Sequence, residues 1–183
     1  MPDAVAIRRE EAADVRGVRA VEVEAFGRAD EGELVDRLRA RGQHVLSLVA
    51  ALDGDVVGYL LLTPVRVEGA GADLRMLGLG PMAVRPAHQR RGIGSRLVRA
   101  AVDESRKTRA AGIVVLGHPD YYPRFGFAPA REFGLTTEYD PSGDTFFVQE
   151  LIPGALASVR GRVRYAPEFA AAGPEDHGAR ARH

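Results

Sequence analysis

The sequence contains no cysteine, which excludes disulfide bonds and thiolate metal sites. It also lacks an excess of charge of either sign, because 25 Lys and Arg residues balance 25 Asp and Glu residues. A dedicated nucleic-acid-binding domain usually carries a clear basic excess, so this balance argues against one. No apolar run approaches the ~18 residues of a membrane span, and the N-terminal stretch lacks the apolar core of a signal peptide. We therefore expect a cytoplasmic protein that binds neither nucleic acid nor membranes.

Apolar residues make up 45% of the 183 residues, which is enough for a folded domain with a buried core. We find no internal repeat and no linker that would separate two domains, and a chain of this length fits one domain. The last residues, 170–183, are small or charged and show no periodicity. We therefore predict a single domain over 1–169 and a disordered tail over 170–183.

Hydrophobic spacing predicts three helices and a series of strands. The helices are expected at 12–25, 31–41 and 91–109, and the strands at 4–7, on both sides of the turn at 53–55, and at 74–84, 113–116, 144–151 and 161–166. The third helix connects two apolar strands, which implies that these two strands are parallel, and we expect the others to be antiparallel. Pro81 has no amide hydrogen, so the ladder should be interrupted there. The predicted fold class is a mixed α/β domain with a central, mostly antiparallel sheet and flanking helices.

Two glycines, Gly92 and Gly94, stand at the start of the third predicted helix, directly after Gln89, Arg90 and Arg91. The first amides of a helix have no intrahelical partners and carry partial positive charge, so they can bind phosphate. Glycine lets an anion approach the backbone closely. The spacing fits neither a Walker loop nor a dinucleotide-binding fingerprint. A tight strand-to-helix turn with solvated arginines is an equally good interpretation of these glycines alone.

The segment 89–94 fits the pattern Gln/Arg-x-x-Gly-x-Gly/Ala and resembles the pyrophosphate-binding signature of the GNAT superfamily of N-acetyltransferases. The order of elements is similar to that of the GNAT fold, and the run YYPRFGF at 121–127 resembles the family's Tyr-x-x-x-Gly-Phe element. With the longer run GHPDYYPRFGF, the sequence looks most like a group of predicted bacterial GNAT proteins with unassigned acceptors. The resemblance covers about 4–169 and implies a sheet in which a parallel strand pair splays apart.

The resemblance implies that acetyl-CoA is a co-substrate and that no metal is used. It places the pantetheine arm on the strand end formed by Met82, Ala83 and Val84, with the Met82 amide polarising the thioester carbonyl. The phosphate groups are expected at a second set of residues, Gln89, Arg90, Arg91, Gly92, Ile93, Gly94 and Ser95. Within this set, the amides from 91 to 95 would bind the pyrophosphate, and Arg90 or Arg91 would reach the 3′-phosphate.

The implied reaction transfers an acetyl group from acetyl-CoA to a primary amine by direct attack on the thioester. Tyr122 matches the family tyrosine that serves the leaving thiolate as general acid. A core or lid aromatic residue is the alternative role, and Tyr121 is a second candidate for the acid. Glu24 and His118 are candidates for the base or for acceptor contacts. Their alternative roles are a surface carboxylate and a turn histidine, in which case water would replace a dedicated base.

A function of another class stays open, namely a module that binds acyl-CoA as a sensor or scaffold without useful catalysis. It is motivated by the absence of Asp and Glu from the strand segment 79–84, where some GNAT members keep a base. The acceptor, a small-molecule or peptide amine, leaves no motif, because loops and the first two helices would build its pocket. By resemblance, a homodimer is one expected arrangement.

Overall fold

The computed structural model describes residues 5–27, 29–140 and 142–172. Within these ranges lie three α-helices, α1 (Val15–Phe26), α2 (Ala29–Ala40) and α3 (Ile93–Arg106). The strands are β1 (Ala6–Arg9), β2 (Leu46–Leu52), β3 (Asp55–Val67), β4 (Met76–Val84), β5 (Gly112–Leu116), β6 (Ala128–Pro129), β7 (Leu135–Thr137), β8 (Phe146–Glu150) and β9 (Gly161–Arg164).

The three helices lie where the hydrophobic spacing predicts them, although their ends differ. A 3-10 turn over Ala12–Asp14 precedes α1, and Gly27 ends it with a left-handed φ of 71°. α3 begins at Ile93 rather than at residue 91, because Gly92 has a left-handed φ of 78° and cannot be part of the helix. The strand-to-helix turn is therefore longer than the sequence indicates, and its last residue requires glycine.

The strands form one sheet with the order β1-β2-β3-β4-β5-β8-β6, and β9 pairs with both β3 and β7. β4 and β5 are parallel and connected by α3, as predicted. The sequence did not predict β6 and β7, which have only 2 and 3 residues. β7 pairs with β9 in parallel, so the expectation that all remaining pairs are antiparallel is wrong. Strands this short take their pairing from the elements packed around them, which local sequence does not encode.

The parallel pair splays apart at the middle of β4. β4 pairs with β5 only from Met76 to Leu79. On its other side, β4 stays paired with β3, but Leu60 faces Met82 and Leu62 faces Leu79, so one residue of β3 opposes Gly80 and Pro81. This is a bulge, which bends the strand. The predicted interruption at Pro81 is confirmed, and a gap opens between β4 and β5 beyond residue 79.

Helices cover both faces of the sheet. α3 covers one face, called here the α3 face, where Met82 and Val84 join the core. α1, α2 and the C-terminal segment cover the other, called the α1/α2 face, where Ala83 joins the core. A 3-10 helix, Pro167–Ala172, lies against α2. The rest of the predicted tail lies outside the described residues and stays a prediction, and no helix in the described ranges is long and apolar enough to cross a membrane.

Candidate functional site

The end of β4 presents backbone groups to the gap. The Arg85 N–H donates to the Val57 carbonyl of β3 at 2.9 Å. Backbone groups of successive strand residues point to opposite edges, so those of Met82 and Val84 point away from β3 and toward the gap. In agreement, the Val84 carbonyl accepts a hydrogen bond from Gln89 Nε2 at 2.9 Å rather than pairing with β3. An extended ligand in the gap can therefore pair with this edge as an added strand would.

The Gln89 side chain binds the end of β4. The sequence predicts that Gln89 adds a donor for phosphate, and in the structure its side-chain amide donates to the Val84 carbonyl. This bond ties the turn between β4 and α3 back to the strand end. The turn is further fixed by Arg90, which has a left-handed φ of 61°. Gln89 thus shapes the turn through its side chain, and its predicted contact with phosphate stays untested.

The start of α3 faces the same end of the gap. Its first turn closes when the Arg96 N–H donates to the Gly92 carbonyl at 3.0 Å. The amides of Ile93, Gly94 and Ser95 precede this bond and have no partner within the helix. Ile93 packs directly on Gly58 of β3, because a Cβ added to Gly58 would lie only 3.1 Å from Ile93 Cγ2. This contact holds the start of α3 on the sheet. The positive end of the helix dipole and a set of free amides therefore meet at one place, where an anion is stabilised.

Tyr122 lies at the carboxyl end of β5, on the other side of the gap. Its side chain is only 1% exposed, and its ring packs on Gly117, where a Cβ would lie 2.0 Å from Tyr122 Cε2. Burial raises the pKa of Tyr122, and the nearby phenols of Tyr121 and Tyr165 raise it further. The phenol therefore stays protonated at neutral pH and is available as a hydrogen-bond donor.

Tyr121 is directed toward the helix start instead. Its hydroxyl lies 3.5 Å from Ser95 Oγ in the first turn of α3, and the Arg124 guanidinium stacks 4.6 Å from its ring centroid. Arg124 and Arg99 also lie 5.6 and 5.3 Å from the ring centroid of Phe125. These two exposed arginines add positive charge beside the amides of α3. Sequence reasoning missed them, because their proximity depends on how the segment after β5 folds against α3.

The two candidate bases lie at the surface. Glu24, with a side chain 48% exposed, is in the last turn of α1 and forms an ion pair with Arg85 Nε at 3.7 Å. This pair places Glu24 at the carboxyl end of β4. His118 is exposed just after β5, and its carbonyl accepts the Tyr121 N–H at 3.0 Å. Both residues lie near the mouth of the gap, and neither is buried in it.

Comparison with known proteins identifies the family. Residues 6–130 match the family model described as an acetyltransferase (GNAT) domain. The uncharacterized N-acetyltransferase YhbS of Escherichia coli K12 is 35% identical over 164 residues, which cover 89% of this chain and 97% of that protein. The chain is a member of the GNAT acetyltransferase family. A second E. coli K12 relative, the uncharacterized N-acetyltransferase YjhQ, is 37% identical over 129 residues, or 69% and 71% of the two chains.

Solved GNAT structures agree in fold. The crystal structure of E. coli YhbS in complex with CoA has a TM-score of 0.87 at 34% identity, covering 93% of this chain and 94% of that one. A GNAT acetyltransferase from Brucella melitensis in complex with acetyl-CoA has a TM-score of 0.75 at 35% identity, covering 91% and 99%. The predicted family and fold are thus confirmed. The assignment to the group marked by GHPDYYPRFGF and the roles of single site residues stay predictions.

One buried acid of this GNAT domain escaped sequence reasoning. Glu22 is 0% exposed and lies inside the apolar face of α1. The signal was available, because Glu22 follows Val18 by four residues and precedes Phe26 by four, which places it on the same helix face. Its charge also contributes to raising the pKa of Tyr59, although burial of the phenol is the main cause. Glu22 therefore lies in the layer between α1 and β3, on the α1/α2 face.

Proposed function

We propose that this GNAT protein transfers the acetyl group of acetyl-CoA to a primary amine by direct attack of the amine on the thioester. The observation that carries the proposal is the convergence at one gap of three features. These are the open edge of β4 at Met82 and Val84, the free amides at the start of α3, and the buried, protonated Tyr122. The two similar proteins were solved in complex with CoA and with acetyl-CoA, which supports acetyl-CoA as the ligand of this chain.

In this proposal, the amides from Arg91 to Ser95 bind the pyrophosphate, because an anion is stabilised where the helix dipole is positive. The pantetheine arm pairs with the backbone of Met82 and Val84 along the open edge of β4. The Met82 amide then donates to the thioester carbonyl and stabilises the negative charge that develops on its oxygen. Arg90 and Arg91 are exposed beside the turn and supply charge for the remaining phosphate.

The chemical step needs a neutral amine and a stabilised leaving group. The amine nitrogen attacks the carbonyl carbon, the C–N bond forms, the C–S bond breaks, and CoA leaves as a thiolate. Tyr122 donates a hydrogen bond or its proton to that sulfur. A thiol has an ordinary pKa of about 8.5, well below that of a buried phenol. If Tyr122 gives its proton to the sulfur, the resulting phenolate is therefore a strong base and takes up the proton that the amine loses. The products are an amide and CoA thiol.

A sensor or scaffold that binds acyl-CoA without turnover is the second candidate. The specific observation behind it is that Glu24 is paired with Arg85 and half exposed, while His118 is exposed. Neither residue is placed as a buried base. A neutral amine delivered from solution needs no such base, so this observation alone does not favour the sensor over the enzyme.

Calorimetric titration with acetyl-CoA, followed by a thiol-release assay over a panel of amines, tests the proposal. The double variant Gly92→Asp and Gly94→Asp places two carboxylates at the phosphate site, and we expect it to lose binding while its circular dichroism spectrum is retained. Gly69→Asp is the matched control, because Gly69 also has a left-handed φ, 82°, in a turn remote from α3. Binding without thiol release for any amine would favour the sensor, and wild-type protein that binds no acetyl-CoA would refute both functions.

A further inference from the structure

Tyr165 packs on β4 immediately before the gap. It follows the end of β9, and a Cβ on Gly78 would lie 2.8 Å from Tyr165 Cε1, closer than non-bonded carbon atoms approach. The rings of Phe169 and Tyr139 hold it in place at centroid distances of 5.4 and 5.8 Å. Gly78 precedes Leu79, the last β4 residue paired with β5. The Tyr165 ring therefore covers β4 on the α1/α2 face, next to the position where the two strands separate.

Two buried hydroxyl groups lie at this position without a partner. Neither the Tyr165 hydroxyl nor the Thr63 hydroxyl forms a hydrogen bond with any residue that the structure describes. Thr63 of β3 is paired with Gly78, and residues paired in this way share a face of the sheet. Thr63 therefore lies beside the Tyr165 ring. Buried polar groups without partners are rare, because nothing compensates for their loss of hydration. Two such groups on the same face of adjacent strands leave hydrogen-bonding capacity that a polar atom of a ligand could use.

Tyr165 and Tyr122 approach the gap from opposite faces of the sheet. Tyr122 belongs to the core on the α3 face, whereas Tyr165 packs against the core on the α1/α2 face. The Tyr165 phenol is nevertheless close enough to contribute to the raised pKa of Tyr122. Burial also raises the pKa of Tyr165, so both phenols are neutral at physiological pH. A neutral phenol oxygen can still accept a hydrogen bond.

We propose that Tyr165 binds the acceptor, its phenol oxygen accepting a hydrogen bond from the attacking amine nitrogen and orienting the nitrogen lone pair toward the thioester carbon. This inference rests on the proposed acetyl transfer. Tyr165 itself neither gains nor loses a proton in the step, because the proton lost by the amine passes either to the CoA sulfur or to Tyr122 after Tyr122 has given its own proton to that sulfur. In this arrangement the amine nitrogen lies on the Tyr165 side of the sheet, while the thiolate departs toward Tyr122 on the other side. Correct orientation of the reacting groups lowers the barrier without new chemistry.

The variant Tyr165→Phe tests this inference, because phenylalanine keeps the ring packed on Gly78 and removes only the hydroxyl. The assay measures kcat and KM for an amine that wild-type protein acetylates, and calorimetry measures acetyl-CoA affinity. We expect kcat/KM for the amine to fall at least about 10-fold, with acetyl-CoA affinity and melting temperature unchanged. Tyr139→Phe, which alters the neighbouring phenol, serves as the matched control and should leave kcat/KM within about twofold of wild type.

The outcomes separate the inference from the proposed function. If wild-type protein is active and Tyr165→Phe has the same kcat/KM for the amine, Tyr165 has only a packing role and the inference is overturned alone. An equal loss in Tyr139→Phe would also overturn it, because the effect would then belong to the aromatic cluster. If wild-type protein binds acetyl-CoA but acetylates no amine, the proposed function fails and this inference fails with it.

Discussion

Among single residues, Tyr122 is the one whose hydroxyl should matter most for turnover. In Tyr122→Phe the ring can still pack on Gly117, so we expect acetyl-CoA affinity to stay unchanged. The leaving thiolate loses its donor, and we expect kcat to fall about 10²-fold, the lower end of the effect of a general acid. Tyr121→Phe is the control, because the Tyr121 hydroxyl is directed to Ser95 and its loss should cost less. A kcat equal to that of wild type in Tyr122→Phe would contradict the assigned role.

The sequence indicates some of these residues and hides others for physical reasons. Gly92 was predictable, because only glycine readily adopts the left-handed φ that ends the turn before α3. Glu22 was predictable as buried from its helical spacing. Tyr165 and Thr63 carry no local signal, since their proximity arises from pairing between β3 and β4 and from the path of the chain after β9. Residues brought together by distant strands cannot be recognised from spacing in one sequence.

Among the elements, the end of β5 is where the site is packed most closely, because Gly117 lies directly against the ring of Tyr122. In Gly117→Ala the new methyl group would lie 2.0 Å from Tyr122 Cε2, so the buried ring must shift. We expect a loss of about 1–3 kcal/mol in the free energy of unfolding, as for other overpacked core positions, together with a lower kcat. Urea unfolding and the thiol-release assay measure the two effects.

Gly71→Ala is the matched control for this prediction, because nothing lies within 4 Å of a Cβ at Gly71. Its stability and kcat should match wild type. Unchanged kcat in Gly117→Ala, despite a measurable loss of stability, would show that the position of the Tyr122 ring does not control turnover. A loss of stability equal in both variants would assign the effect to the glycine backbone rather than to the ring.

The long elements follow from the sequence, whereas the two shortest strands, β6 and β7, do not. α3 has an apolar stripe that continues over its 14 residues, and the interruption of β4 follows from the missing amide of Pro81. By contrast, β7 pairs with β9 in parallel through only three residue pairs. So short a strand has too few side chains to establish a period, and its direction depends on the long path from β8 to β9. The gap and a strand over 161–166 were thus predictable, but the pairing of that strand with β3 and β7, which places Tyr165 beside β4, was not.

For the whole molecule, the equal numbers of basic and acidic residues include ion pairs that connect separate elements. Arg8 of β1 binds Asp14, in the turn that leads into α1, through both carboxylate oxygens, at 2.6 and 2.9 Å. Arg9 binds Glu104 of α3 at 2.9 Å. Ion pairs therefore connect the edge strand β1 to the start of α1 on one face of the sheet and to α3 on the other. Exposed pairs such as that of Arg9 contribute little, whereas the Asp14 carboxylate is nearly buried, with 8% of its side chain exposed.

The Arg8–Asp14 pair predicts how stability depends on pH. The hydrogen bond from Arg8 is the main cause that lowers the pKa of Asp14 in the folded protein. At pH values just below the ordinary pKa of aspartate, the unfolded chain therefore binds more protons than the folded protein. The free energy of unfolding rises with pH over this range. The contribution is complete above the unfolded pKa and is lost as pH falls through the folded pKa. We expect Asp14→Asn to lower the free energy of unfolding by about 1–2 kcal/mol near neutral pH.

That difference between wild type and Asp14→Asn should shrink as the pH approaches about 2, because the wild-type carboxylate is then protonated as well. Urea unfolding at a series of pH values measures it directly. Asp55→Asn, at the exposed start of β3, is the control and should differ little from wild type at any pH. A difference for Asp14→Asn that stays constant down to the lowest pH would mean that the shape of the side chain, rather than its charge, fastens β1 to the start of α1.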